Sequence, residues 1–372
     1  MESVVSIMTE KIKKYLLKDV TFTISLVGAI ISCLFGTFSV SFIDFKVILA
    51  LFGLMLVIEA LKSMGVLKWL AGRITTLAKT KRQLVQSLVG LSFFASMFLT
   101  NDVAILTLLP IFLLIAKQAL SKKELVLGTV LLIVAANLGS SVFPTGNPQN
   151  IYLFSYYHLN LSTFFIWVLP FFGLALGSMW GLTLLISKAS FQLNPTTSSP
   201  TVTWKIGPFI GLLLMLAYVT NLLTSWLWVF LVGCLVGVPF PNSIKKIDYL
   251  LLGTFLCFFL IVGNLAENDT LAHLLRQSVQ NERMTLWVSA GVSQLISNVP
   301  AAILLAPFTS HSRAMVLGTN IGGMGTIIAS LANLIGYKVF STYSSDQKGR
   351  FFSYFSLINF SLLAIFLICF TF

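Results

Sequence analysis

From Phe22 to Phe372 the chain is a succession of apolar runs, most of them near the 20 or so residues that cross the hydrocarbon core of a bilayer. Only 10% of the residues are charged and 57% are hydrophobic, whereas a soluble domain carries roughly 25% charged residues. A water-soluble fold could not cover such a chain, which reads as an all-α polytopic membrane protein. Spans are expected at about 21–42, 47–70, 125–157, 162–186, 207–223, 225–241, 247–266, 314–340 and 351–372. Residues 1–20, with Lys11, Lys13, Lys14 and Lys18 among apolar neighbours, lack the continuous apolar core of a signal peptide. They are expected to form an amphipathic helix on the cytoplasmic surface.

Two further apolar stretches behave differently. Residues 84–116 are interrupted at Thr100-Asn101-Asp102 and residues 283–310 at Ser297-Asn298-Val299-Pro300. Both stretches are flanked by polar residues, so each is expected to dip into the membrane as a re-entrant hairpin and return to its own side. Basic residues test this, because cytoplasmic loops collect Lys and Arg. With the N-terminus inside and both hairpins re-entrant, Arg73, Lys79, Lys81, Arg82, Lys122, Lys123, Lys188, Lys205, Lys245, Lys246, Lys348 and Arg350 all fall in the cytoplasm. Only Lys46, Arg276, Arg283 and Arg313 fall outside, and the C-terminus is external. The formal charge of +12 therefore follows from membrane topology and not from binding of nucleic acid.

The order of landmarks repeats. Leu26-Val27-Gly28 and Ile43-Asp44 recur as Leu231-Val232-Gly233 and Ile247-Asp248, and SMFLTNDVAILTLLP (96–110) aligns without gaps on SQLISNVPAAILLAP (293–307). NLGSSVFPTGNPQN (137–150) then aligns on NIGGMGTIIASLAN (320–333), pairing Asn137 with Asn320 and Asn150 with Asn333. One repeat covers 21–186, a linker and connecting span cover 187–224, and the second repeat covers 225–372. The odd span near 207–223 makes the second copy enter the membrane inverted.

Segment 137–150 carries Gly139, Pro144, Gly146 and Pro148 among Asn, Ser and Thr, and 320–326 carries Gly322, Gly323 and Gly325 beside Thr319, Asn320 and Thr326. Each is expected to be an unwound loop inside a broken helix, 125–157 and 314–340, because unpaired backbone in a membrane persists only where it faces protein or water. Glycine-lined helix contacts are the plainer account of the same residues. At each hairpin tip one helix ends in carbonyl oxygens, suited to a cation, and the next begins with amides and a positive dipole end, suited to an anion. Asp102 is an ionisable group at membrane depth, which is normally functional or paired. It fits a cation ligand, a carboxyl that loads and releases a proton in each cycle, or a helix cap. Glu59 is expected to pair with Lys62 three residues on, with proton relay as the alternative. His158, His273 and His311 fall near external loops and Cys33, Cys234, Cys257 and Cys369 are scattered, so none is assigned a ligand role.

At TNDVAILTLLP, AANLGSSVFPTGNPQN, SNVPAA and GTNIGG the chain resembles the ion transporter superfamily, in its citrate-transporter-like and arsenite-permease-like branches. The resemblance implies paired hairpins and broken helices around a midplane site, a homodimer, and elevator-like movement of a transport domain against a scaffold. With the tips and unwound loops read above, the substrate is expected among Asn101, Asp102, Ser141, Thr145, Gly146, Asn147, Asn298, Asn320, Gly322, Gly323 and Thr326. The coupling cation or proton is placed at Thr100, Asn101, Asp102, Ser297 and Asn298, with Glu59 as a further candidate. The related divalent anion symporters carry Ser-Asn-Thr at both tips; here the third positions are Asp102 and Val299. The expected function is secondary transport of a small inorganic or organic anion across the plasma membrane, coupled to H+ or Na+, without an organic cofactor. Arsenite or antimonite efflux and Na+/H+ antiport are the alternatives. An intramembrane enzyme is disfavoured because no nucleophile–base pair or metal-binding carboxylate pair is in evidence, and a nucleotide-driven pump because no phosphate loop is present.

Overall fold

The structure, a computed structural model, describes residues 20–191 and 205–371. The expected amphipathic helix at the N-terminus lies outside the described residues, apart from Val20. Eighteen helices account for the fold among the described residues, and an isolated bridge between Thr80 and Ser190 is the strand-like pairing they contain.

The first half runs through α1 (Val20–Phe35), α2 (Phe45–Ser63), α3 (Val66–Leu77), a hairpin of α4 (Lys81–Leu99) and α5 (Asn101–Ala119), a helix broken into α6 (Lys122–Ser140) and α7 (Pro148–Tyr156), and α8 (Leu161–Thr183). After α9 (Gly207–Val219) the same order returns. It comprises α10 (Leu227–Val232, extended by a π turn to Gly237), α11 (Pro241–Ile244), α12 (Tyr249–Glu267), α13 (Asp269–Ser278), a hairpin of α14 (Glu282–Ile296) and α15 (Asn298–Leu305), a helix broken into α16 (Ser312–Gly322) and α17 (Leu331–Tyr343), and α18 (Lys348–Phe370). Equivalent residues do equivalent work: Asp44 caps α2 by accepting from Val47 N, and Asp248 caps α12 by accepting from Leu251 N.

Two expected spans need correction, and a third, borne out, continues into a further helix. The helix of span 21–42 stops at Phe35, followed by a short 3-10 turn at Val40–Phe42. Span 47–70 bends by 48° at Gly65, whose φ of 76° is open to glycine, so α3 leaves the axis of α2. Span 247–266 is followed after one residue by α13. Five helices among the described residues are long and apolar enough to cross a membrane, or six with the bent pair, and two of the five are the hairpin arm α5 and the half-helix α6. Length and apolarity alone thus count a re-entrant arm as a span, and they pass over the shorter apolar helices α1, α9 and α10.

Contacts at the helix ends define two faces. On one, Lys81 Nζ lies 3.5 Å from Glu124 Oε2, Arg82 donates to the carbonyls of Leu184 and Ile186 at 2.7 and 2.8 Å, and Lys122 Nζ meets Asp346 Oδ2 at 3.0 Å. On the other, the Tyr157 hydroxyl donates to the carbonyls of Ala306 and Thr309, each at 3.1 Å, and Trp287 Nε1 donates to Thr371 Oγ1 at 3.0 Å. The first hairpin has both ends at the first face and the second hairpin has both ends at the second, which is the inversion read from the repeats. Glycine permits the tightest crossings between hairpins and broken helices. A Cβ on Gly139 would sit 2.0 Å from the Phe93 carbonyl oxygen and 2.5 Å from Ser96 Oγ; one on Gly322 would sit 2.6 Å from Ser293. Ser96 and Ser293 are themselves equivalent in the repeat.

Candidate functional site

Each hairpin turns on a residue in an unusual backbone conformation. Thr100 has φ 65° and ψ 153°, and its counterpart Ser297 has φ 77° and ψ 153°. This region is essentially reserved for glycine and costs about 1–3 kcal/mol for other residues, strain that clusters at ligand sites. Thr100→Gly and Ser297→Gly are therefore expected to raise stability by about 1 kcal/mol each, read as a higher melting temperature in detergent. A lower melting temperature would mean that the hydroxyls contribute more than the backbone strain.

The tips meet at a cavity of about 380 Å³, lined by Asn101, Asp102, Ser297 and Asn298 together with Pro148, Gln149, Ser330 and Leu331. These residues open α5, α7, α15 and α17, so four helix N-termini converge on one space. Thr100, Ser297 and Ser330 provide no side-chain cap to the helices they precede. The lining thus collects the positive ends of four dipoles, each equivalent to roughly half a charge. Against them stands Asp102, whose Oδ1 is buried without a hydrogen-bond partner. A wider cavity of about 580 Å³ reaches Thr100 and Asp102 from the side of Glu59, Lys62, Lys245, Lys246 and Asp248. The two share Asp102, Pro148, Leu251 and Leu331.

Beneath the tips lies a lattice of buried amides. Asn101 Nδ2 donates to Asn137 Oδ1 at 2.9 Å, and Asn137 Nδ2 donates to Asn333 Oδ1 at 2.6 Å. The inverted copy of that last bond runs from Asn320 Nδ2 to Asn150 Oδ1 at 2.7 Å. Asn147 Nδ2 donates to Asn320 Oδ1 at 3.0 Å, matched by Ser330 Oγ donating to Asn137 Oδ1 at 3.1 Å. Asn150 and Asn333 fasten their own loops through the carbonyls of Phe143 and Thr326 at 3.1 and 3.3 Å. The two broken helices therefore hold each other at their interruptions.

Of the expected site residues, Asn101, Asp102, Ser297 and Asn298 line the smaller cavity, and Glu59, Thr100 and Asp102 line the wider one. Asn147 and Asn320 lie in the lattice, and Ser141 Oγ donates to the Asn137 carbonyl at 2.9 Å. Ser141, Thr145, Gly146, Gly322, Gly323 and Thr326 line neither cavity. Gly146 and Gly322 serve close packing, against the Ser140 carbonyl and Ser293, and Thr145 is fully buried with its hydroxyl unpartnered. Glu59 meets Lys62 at 2.9 Å within α2. None of the three histidines lines either cavity.

Sequence reasoning did not name Gln294, whose amide clamps the second loop. Its Nε2 donates to the carbonyls of Gly322 and Met324 at 2.8 and 2.9 Å, and its Oε1 accepts from Thr326 N at 2.8 Å. A polar side chain three residues before the tip was the available signal, but Met97 stands at the equivalent place in the first half, so the repeat hides it.

Inverted hairpins and broken helices bring their polar tips to a cavity whose remaining lining is largely apolar, and with the family match that follows this makes the chain a secondary transporter. The profile of the citrate transporter family (CitMHS) matches residues 4–314, and the chain belongs to that family, of the citrate or anion permease type. It is 29% identical over 313 residues to the uncharacterized transporter MJ0456 of Methanocaldococcus jannaschii, covering 83% of this chain and 84% of that one. It is 28% identical over 305 residues to the inner membrane protein YbiR of Escherichia coli, covering 80% of each. A stretch of 151 residues, 39% of this chain and 30% of the relative, is 29% identical to the silicon efflux transporter LSI3 of Oryza sativa subsp. japonica. The solved YdaH transporter of Alcanivorax borkumensis shares the fold, with a TM-score of 0.53 at 14% identity over 87% of this chain and 83% of its own.

Proposed function

We propose that the chain carries a small anion or oxyanion across the plasma membrane, coupled to H+ or Na+, with the solute held between the two hairpin tips. The observation that supports this most directly is the convergence of four helix N-termini on one cavity beside a buried, unpartnered carboxylate oxygen. The N-termini favour negative charge in a site without a lining arginine, as in other transporters built on discontinuous helices. Asp102 opposes them when ionised. A proton or sodium ion on Asp102 removes that opposition, and this supplies a physical reason for coupling. The hairpins and broken helices pack densely on one another, while α2, α9 and α10 form a bundle that meets this body mainly through α2 against α7, and α12 packs along α1 and against α15. That division supports elevator-like movement of the first body along the second.

Reconstituted proteoliposomes given citrate, succinate, sulfate, arsenite and sodium in turn test the reading through charge movement and internal pH. A saturable current with an anion is expected, reduced at least about tenfold in Asn101→Ala, which removes the amide that fixes the first tip to Asn137. A pH signal driven by sodium alone would establish antiport and sink the anion reading. The partial likeness to a silicon efflux transporter favours one second reading, efflux of an uncharged oxyacid, since a neutral solute tolerates an ionised Asp102. Electroneutral arsenite release with no response to any anion would select it.

A further inference from the structure

The wider cavity holds charge that the tips do not use. Lys62 is committed to Glu59, and that pair is partly buried, with side-chain exposures of 30% and 13%. Lys245 and Lys246 project from the turn between α11 and α12, exposed, and among the described residues neither pairs with a carboxylate. The turn that presents them is firmly built. Lys246 N donates to the Ser243 carbonyl at 3.1 Å, the Tyr249 hydroxyl donates to the Ile244 carbonyl at 2.9 Å, and Asp248 Oδ1 accepts from Leu251 N at 3.0 Å. The same cavity ends inward on Thr100 and Asp102, so the two lysines stand on the path to the tips.

We infer that Lys245 and Lys246 form a docking station that gathers the transported anion at the mouth of the wider cavity before it reaches the tips. The inference rests on the anion-transport reading given above. Two adjacent unpaired lysines at the mouth of a cleft with apolar walls, here Met55, Ile58, Leu106 and Ile335, outnumber the one unpaired carboxylate beside them, Asp248, and raise the local concentration of an anionic solute. The groups facing the station are Asp248 and the Glu59–Lys62 pair, with Asp102 deeper and Tyr249 alongside. Asp248 keeps the station from trapping its ligand, because conduction needs binding favourable enough to enter and weak enough to leave. A phospholipid headgroup offers the same anionic chemistry, but it would meet the lysines at the lipid surface and not along an aqueous path that leads to the tips.

The test uses the full chain, reconstituted in vesicles sorted by orientation, with whichever of citrate, succinate and sulfate the wild type carries. In the double variant Lys245→Gln, Lys246→Gln the KM measured from the face bearing these residues is expected to rise about tenfold, the lower end of electrostatic steering, with its dependence on ionic strength flattened. The maximal rate from that face stays at its wild-type value; from the opposite face the KM stays and the maximal rate falls in the same proportion, since a carrier cannot shift the transmembrane equilibrium, and Lys245→Arg, Lys246→Arg restores the low KM. A purely structural role would not move the salt dependence on one face alone. An unchanged KM, an equal change from both faces, or failure of the Arg pair to restore it overturns the station. So does an effect confined to vesicles containing phosphatidylglycerol and absent in pure phosphatidylcholine, which would assign the lysines to lipid. A wild type that moves none of the three anions removes the anion reading itself, and the station with it.

Discussion

Asp102→Asn is expected to turn a gradient-driven transporter into a passive one, with the accumulation ratio in vesicles falling to about unity whatever the imposed pH or sodium gradient. The substitution keeps the shape of the side chain and its place in the first turn of α5 and removes the ability to bind or lose a charge. Asp102 is the one carboxylate shared by both cavities, its Oδ1 has no hydrogen-bond partner, and among the described residues no lysine or arginine forms an ion pair with it. A carboxylate at membrane depth is costly enough to call for a cation or proton during the cycle. Downhill exchange of anion should survive in the variant, since the helix N-termini are untouched. Retention of wild-type pH and sodium dependence would remove Asp102 from the coupling role.

Asn137→Leu should be the most damaging single change in the interior. It strands three buried groups at once: Asn101 Nδ2, Ser330 Oγ and Asn333 Oδ1 all lose their partner. Each unsatisfied buried group costs roughly 1–3 kcal/mol, so the variant loses several kcal/mol and either melts far below the wild type in detergent or fails to accumulate in the membrane. The comparison is Leu138→Ala, one residue on, which leaves the lattice intact while shortening a buried apolar side chain. If both variants melt alike, ordinary packing and not the amide lattice governs stability here.

Much of this architecture is legible in the chain. The hairpin tips stand out because polar trios interrupt apolar runs, and the repeat places Asn101 opposite Asn298 before any coordinates are known. The distribution of Lys and Arg separates the loops into the two sets that the contacts of Lys81, Arg82 and Lys122 on one face and Tyr157 and Trp287 on the other bring together. The partnerships inside the site were not legible. Asn137 meets Asn333 across 196 positions of sequence, and Asn320 meets Asn150 across 170, distances over which no local pattern carries information. The bend at Gly65 was hidden because apolarity continues through it, and hydropathy reports depth and not direction. Gly322 was ambiguous for a different reason: a glycine that admits a ligand and one that admits a neighbouring helix look the same until the neighbour, Ser293, is seen.

The crossing of the two interruptions is built on carboxamides and a few hydroxyls, and that choice of group bears on leakage. A chain of carboxylates, imidazoles or water molecules can hand a hydrogen ion from one member to the next, whereas a carboxamide keeps its hydrogens at neutral pH and offers no such wire. Asn137, Asn150, Asn320 and Asn333 can therefore knit the middle of the protein together without short-circuiting the gradient that drives it.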